Sequence, residues 1–180
     1  MSRPAQTDLA VLAALSIEPM TGYTVRDVIH TRLGSFWSES FGQVYPALAR
    51  LRAEGLVDSG TGDRTGSSIH RLTDAGRARL VELMLEPPVS TRPRNGVLLR
   101  LFFGDAIGAD ACRRLVEQTR DRARALLAEL EVARRETETG VDEAQRPYRL
   151  LTISAGEHSA RAAIAWAEES LAVLRTLPSR

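Results

Sequence analysis

The side chains able to do chemistry are few and scattered. His30, His70 and His158 stand at no metal-ligand spacing with one another or with Cys112, the single cysteine. The Gly-rich turn at residues 60–66 lacks the Lys-Ser or Lys-Thr ending that lets a P-loop hold phosphate and magnesium, and no nucleophile elbow or zinc motif occurs. Asp63, Asp74 and Glu82 show no pairing of carboxylates for acid–base work. No catalytic residue, metal or cofactor is expected. What the residues can do is recognise. Gln43, Tyr45 and Arg50 follow one another closely in SFGQVYPALARLRAEGLV, a segment with no acid before Glu54. Gln and Arg side chains hydrogen-bond base edges in a DNA major groove, and Tyr and Arg reach phosphates.

Presenting those side chains requires a helix with one buried stripe. Val44, Ala47, Leu48 and Leu51 recur at steps of three and four and form that stripe, leaving Gln43, Tyr45, Ala49, Arg50 and Arg52 on the outside. Ser40 and Gln43 have the spacing of a capping box at its start, and Gly55 stands where a left-handed residue ends a helix. Pro46 is tolerated best in a first turn, so the opening is expected to be irregular. Such a helix, about 10–12 Å across, fits a major groove. Polar surface helices are common, and the flanking elements decide between the two readings.

Upstream, Thr7 and Asp8 offer an N-cap for a helix with Leu9, Leu12 and Leu15 inward, ending before Pro19. Thr21 and Gly22 open a second helix with Tyr23, Val28, Ile29 and Leu33 inward and Gly34 as its stop. Downstream, residues 56–59 and 68–72 read as two short strands joined by the Gly-rich tip, and Thr73 caps a further helix to about Glu86. Three helices and a two-stranded tip describe a winged helix-turn-helix. Arg64 at the tip and Arg71 on the returning strand are placed to meet phosphates beside the groove.

Composition sets looser bounds. The net charge of +1 supplies no whole-chain attraction to nucleic acid, so affinity must come from local placement. All 24 basic residues are Arg, read here as GC-rich coding. A lone cysteine forbids an intrachain disulfide, the N-terminus lacks a signal pattern, and no apolar run approaches the roughly 20 residues of a membrane span. The cytoplasm is the expected compartment, with no membrane partner.

Pro87, Pro88 and Pro93 break the helical pattern and divide the chain into residues 1–88 and 89–180. From about Ala109 to Glu138, Cys112, Val116, Thr119, Ala123, Leu127 and Leu130 form a narrow apolar stripe among charges. In the final helix Leu150, Ile153, Glu157, Ala160, Ile164, Ala167, Leu171 and Leu174 alternate steps of three and four, as in a coiled-coil seam. A second set on another face includes Ala155, Ser159, Ala162, Trp166, Val173 and Leu177. One partner helix cannot cover both faces, so a second protomer is expected, with Leu150, Ile153, Ile164, Leu171 and Leu174 as the dimer interface.

Several motifs in one order carry a family resemblance: Met20-Thr21-Gly22-Tyr23, Gly42-Gln43-Val44-Tyr45-Pro46-Ala47-Leu48 with Leu51, Glu54-Gly55-Leu56-Val57 and Leu72-Thr73-Asp74-Ala75-Gly76. Weaker matches follow at Leu99-Arg100-Leu101-Phe102-Phe103-Gly104, Gly156, Ala165-Trp166 and Glu168. Together they resemble the PadR family of transcriptional regulators. The sequence departs from that pattern at His70, where the family often has Tyr. The resemblance implies a mainly α fold, with a winged helix-turn-helix domain and an antiparallel-helix dimerisation domain. It also implies repression of neighbouring genes relieved by a small molecule.

The expected function is therefore a homodimeric repressor on an inverted-repeat DNA operator, with Ser40, Gln43, Tyr45, Arg50, Arg64 and Arg71 as DNA contacts. Trp166 reads first as core. Its small neighbours, Ala162 and Ala163 among them, leave room for an apolar effector beside the ring, and PadR-like proteins sense aromatic compounds. The competing readings are a winged-helix protein-interaction module without DNA binding and, from another class, an enzyme. The missing acid, base and nucleophile argue against the enzyme.

Overall fold

The computed structural model describes residues 3–33, 37, 41–61, 68–88 and 95–178. The chain divides into two compact units, Met1–Thr91 and Arg92–Arg180.

In the first unit α1 (Arg3–Leu15), β1 (Met20–Thr21), α2 (Gly22–Leu33) and α3 (Phe41–Ala53) precede β2 (Val57–Thr61), β3 (Ser68–Leu72) and α4 (Asp74–Leu85). The strands form an antiparallel sheet in the order β1-β3-β2, with Val57 opposite Leu72 and Met20 opposite His70. This is the winged helix-turn-helix that the sequence predicts. Its core takes one stripe from each helix: Val11, Leu12 and Leu15, then Val25 and Ile29, then Val44, Ala47, Leu48 and Leu51, closed by Val57, Leu72, Leu80 and Leu83.

Three details differ from expectation. The first helix begins at Arg3, so Thr7 and Asp8 lie inside it and cap nothing, and Thr7 is buried. Tyr23 is exposed, and Val25 takes the inward position on α2 instead. The two-residue β1 adds a third strand that is too short to show a period in sequence.

Two corners hold α3 to the wing. Gly55 has φ +71°, Leu56 N–H donates to the Leu51 carbonyl at 2.8 Å, and Gly55 N–H to that of Arg52 at 3.0 Å. This is the Schellman pattern that ends a helix with a left-handed residue. The Thr73 hydroxyl then donates to the Gly55 and Leu56 carbonyls and accepts from Gly76 N–H, so one side chain caps α4 and ties it to the end of α3. A Cβ on Gly76 would run into the Leu56 carbonyl oxygen, which explains why a glycine opens this turn of α4.

In the second unit α5 (Gly96–Phe102) and α6 (Gly104–Ile107) lead into α7 (Ala109–Gly140) and α8 (Arg146–Arg175). Asn95 caps α5 by accepting from Val97 and Leu98 N–H. Arg124 pairs with Glu168, Leu130 approaches Gly156, and Arg134 pairs with Glu157, so α7 and α8 run antiparallel as a hairpin. Gly156 permits the close crossing, because a Cβ there would stand 2.9 Å from Leu130 Cδ1. No described helix is long and apolar enough to cross a membrane.

The hairpin covers part of the expected dimer seam. Glu157, Ala160, Ala167 and Leu171 are the buried residues of α8, and Leu171 and Ala167 join Val116 of α7 in one cluster, with Leu174 packed against it. Leu150, Ile153 and Ile164 lie half-buried on the same stripe. Leu171 is thus covered within one chain, while Leu150, Ile153, Ile164 and Leu174 keep part of their surface.

The charged member of the seam is accounted for as well. Arg134 donates twice to the Glu157 carboxylate, from Nε at 2.7 Å and from Nη2 at 3.0 Å, and Arg161 Nη2 lies 3.5 Å away. These guanidiniums hold the Glu157 carboxyl below its ordinary range, Arg134 foremost, against the opposing effect of desolvation. A carboxylate with a depressed folded-state pKa adds stability above the unfolded value, near about 4.3. That stability is lost as pH falls through the folded value. Glu157→Gln is expected to lower the melting temperature at pH 7 and to narrow the gap from wild type as pH falls below about 4. Melts that stay equally far apart across that range would remove the linkage.

Candidate nucleic-acid interface

The stripe of Val44, Ala47, Leu48 and Leu51 fixes the rotation of α3 about its axis, and with it the fate of every polar residue on the helix. Tyr45, Ala49 and Arg52 are exposed along one line. Tyr45 is positioned by Gly22 at the start of α2, where a Cβ would stand 2.7 Å from the ring. The ring lies in that notch and is still 55% exposed. Arg52 lies on the side of the wing: its guanidinium, after partial burial, is the second cause that lowers the pKa of His70 on β3. His70 Nδ1 and Ser59 Oγ are 3.1 Å apart across the β2–β3 pair. Arg71, the next residue on β3, is exposed.

Gln43 and Arg50 turn elsewhere. Arg50 Nη2 stands 2.6 Å from Asp8 Oδ1 of α1, and the Thr7 hydroxyl donates to Gln43 Oε1 at 3.4 Å. Gln43 and Arg50 are two turns apart on α3, Thr7 and Asp8 adjacent on α1, so the two contacts form a polar clasp along the helix crossing. Gln43 and Arg50, expected to face a groove, each carry a contact to α1, and the Arg50 side chain remains 42% exposed. Ser40 and Arg64 lie outside the described residues. Arg52 is the cation that sequence reasoning placed on the outer face and then passed over in favour of Arg50. The clasp carried no signal, since Thr7 and Asp8 fit an N-cap equally well.

In the second unit Trp166 is half-buried and packs against the Val116, Ala167 and Leu171 cluster, Ala163 is half-buried and Ala162 is exposed. A cavity of about 690 Å³ lies in the same unit, but none of these three lines it. Among the described residues no group of His, Cys, Asp and Glu could hold a metal ion.

A helix exposed beside a two-stranded wing defines a winged helix-turn-helix fold, and comparison with known proteins adds a role. Residues 11–82 match the transcriptional regulator PadR-like family, and residues 93–175 match the C-terminal domain described as virulence activator alpha. These matches fit a PadR-family regulator, with a PadR-like domain over residues 11–82. The chain is 25% identical over 126 residues to the negative transcriptional regulator PadR of Bacillus subtilis, covering 68% of this chain and 69% of that protein. Among solved structures it is similar to a PadR-like transcriptional regulator from Bacillus cereus, at TM-score 0.79 and 22% identity over 94% of this chain and 98% of that one. The Bacillus subtilis regulator in complex with operator DNA gives TM-score 0.77 at 21% identity, over 93% and 98% of the two chains. The same regulator with p-coumaric acid gives 0.73 at 22%, with the same coverage. The homologues are transcriptional regulators and not enzymes.

The clasp makes a stability prediction that a DNA-facing Arg50 does not. Asp8→Ala and Arg50→Ala should each destabilise the protein. A double-mutant cycle by urea unfolding should return a coupling of about 0.5–1 kcal/mol, modest because both side chains keep some contact with solvent. Additive effects would show that the pair does not couple.

Proposed function

We propose that the chain is a homodimeric repressor that occupies an inverted-repeat operator near its target genes and leaves it when a small molecule binds. It would act in the cytoplasm. The observation that carries this reading is the line of Tyr45, Ala49 and Arg52 exposed on α3, with Arg71 exposed on β3, in a winged fold like that of a relative solved on operator DNA. Tyr45 and Arg52 are the groove-facing candidates, and Arg71 is the phosphate contact. Ser40 and Arg64 keep the roles their sequence positions give them, at the start of the helix and the tip of the wing. Gln43 and Arg50 remain groove candidates that are also held to α1. Support for repression comes from the Bacillus subtilis relative named a negative regulator, and for a small-molecule response from its complex with p-coumaric acid.

The test is fluorescence anisotropy on DNA from the region upstream of the gene, with a scrambled duplex beside it. Tyr45→Ala or Arg52→Ala should cost about 1–3 kcal/mol on the specific duplex while the fold survives. Arg71→Ala should weaken both duplexes alike and reduce the salt slope by about one unit per site. Wild-type protein that binds no duplex, or binds with no salt dependence, would favour the protein-interaction module instead.

Because α7 covers Leu171 within one chain, a more exposed line of α8 is the better candidate for the dimer. Tyr148 is 71% and Leu151 68% exposed one turn apart on α8, and the exposed Ala155 and Ala162 continue their line. This line takes the place of Leu150, Ile153, Ile164, Leu171 and Leu174 as the proposed interface. Leu151→Glu should remain helical and sediment as a monomer. It should lose affinity for an operator whose half-sites lie about 34 Å apart, although Leu151 is outside the winged-helix unit. Leu171→Glu should instead unfold the hairpin. A dimeric Leu151→Glu that still binds the repeat would put the interface elsewhere.

A further inference from the structure

His70 stands on the central strand of the sheet, opposite Met20 of β1 on one side and Ser59 of β2 on the other. Side chains alternate along a strand, so His70 shares the face of Leu72, which is buried in the core made with the helices. Arg71 and its cross-strand neighbour Asp58 take the other face. The His70 ring is half-buried, and Arg52, exposed near the end of α3, is the cation whose charge acts on it. Ser59 Oγ lies 3.1 Å from its Nδ1. A hydroxyl donates to a neutral imidazole and accepts from an imidazolium, so this contact serves both protonation states without rearrangement.

No acid answers these two basic groups. Glu54 after α3, Asp58 on β2 and Asp74 at the start of α4 are exposed, and among the described residues none of them pairs with His70 or Arg52. The stripes that α1 and α2 bury are apolar apart from Thr7. Of the charged groups on those helices, Asp8 pairs with Arg50, Arg26 lies over the Tyr23 ring, and Asp27 and His30 are exposed. Partial burial, and after it the Arg52 guanidinium, therefore hold the imidazole below its ordinary value, and it is neutral at pH 7.

We propose that His70 is a proton-coupled contact for the DNA backbone: it takes up a proton as phosphates reach Arg52, so that DNA is held more tightly as pH falls. The inference rests on the DNA reading proposed above. A phosphate at Arg52 offsets the repulsion that the guanidinium exerts on an imidazolium and attracts the imidazolium itself. His70 then titrates higher in the complex than in the free protein. By linkage, affinity rises as pH falls through the bound value and levels off below the free one, which lies under 6.5. Tyr, the residue that PadR-like sequences often carry at this position, loses its proton near about pH 10 and supplies no such step.

The test is anisotropy of the full-length protein on rhodamine-labelled duplexes, the upstream region and its scrambled counterpart, from about pH 8 to about pH 5.5. Affinity should rise by about tenfold or more on both, since phosphates are common to them, and the salt slope should steepen by close to one unit per protomer. Calorimetry on wild-type protein near about pH 6, in two buffers of different ionisation enthalpy, should show proton uptake on binding. His70→Gln, which keeps a polar group beside Ser59, should lose both the rise and the steepening, leaving a change of no more than about twofold. His70→Tyr should do the same and carries the comparison if the Gln variant does not fold. His30→Gln should keep the wild-type profile. A rise that survives in His70→Gln overturns the assignment. A rise lost in that variant, with a wild-type salt slope that never steepens, marks a structural effect of the ring and overturns the contact. Wild-type protein that binds neither duplex at any pH removes the DNA reading and this inference together, whereas duplexes bound with a flat pH profile remove this inference alone.

Discussion

A helix can bury only one stripe, and in α3 that choice governs the rest. Val44, Ala47, Leu48 and Leu51 are 3% exposed or less, and each large aliphatic among them is worth about 1.5–3 kcal/mol for staying out of water. No polar contact on the helix competes with that sum. An ion pair that keeps some solvent contact, such as Arg50 with Asp8, contributes at most about 1 kcal/mol, so it follows the rotation and does not set it. Once the stripe is buried, Tyr45 and Arg52 must face out, while Gln43 and Arg50, on another line of the helix, fall beside α1. The Schellman turn at Gly55 and the Thr73 cap then fix where the helix ends and where the wing begins. The interface is thus a consequence of the core.

The same logic marks what could be read from the sequence. Periods of three and four reported which face of each helix is buried, and Gly55, Thr73 and the Gly-rich tip reported where elements stop, because these signals are local. Partners distant in sequence left no such trace. Thr7 and Asp8 have the composition of an N-cap, and only the fold, by bringing Gln43 and Arg50 alongside, makes them a clasp. Tyr23 was misjudged for a related reason: at a helix start, a large aromatic and the β-branched Val25 both fit an inward stripe. The cavity was invisible because its wall combines α5 and α6, which are too short to show a period, with the two ends of the hairpin.

The α8 seam shows the limit of periodicity more sharply. Heptad-like steps establish that a helix packs against another helix, but not which chain supplies it. The turn at residues 141–145 brings α7 back along α8, and Gly156 lets Leu130 insert, so the nearer partner wins at no cost in association entropy. Glu157 adds specificity to that pairing. A carboxylate in an apolar seam is tolerated only where Arg134 meets it, and a hairpin shifted by one turn would leave it buried without its partner.

Charge is distributed by the same economy of neighbours. The chain is nearly neutral, yet its guanidiniums are not interchangeable, since many are engaged with acids of the same chain: Arg50 with Asp8, Arg79 with Glu82, Arg113 with Asp110, Arg124 with Glu168, Arg134 with Glu157. Such pairs contribute little long-range field, because each guanidinium is offset by a carboxylate within 3 Å. Arg52 and Arg71, exposed and in none of these pairs, are the cations that the proposed interface would use. An almost neutral protein can hold DNA in this way because affinity depends on where the uncompensated cations stand and not on how many the sequence contains.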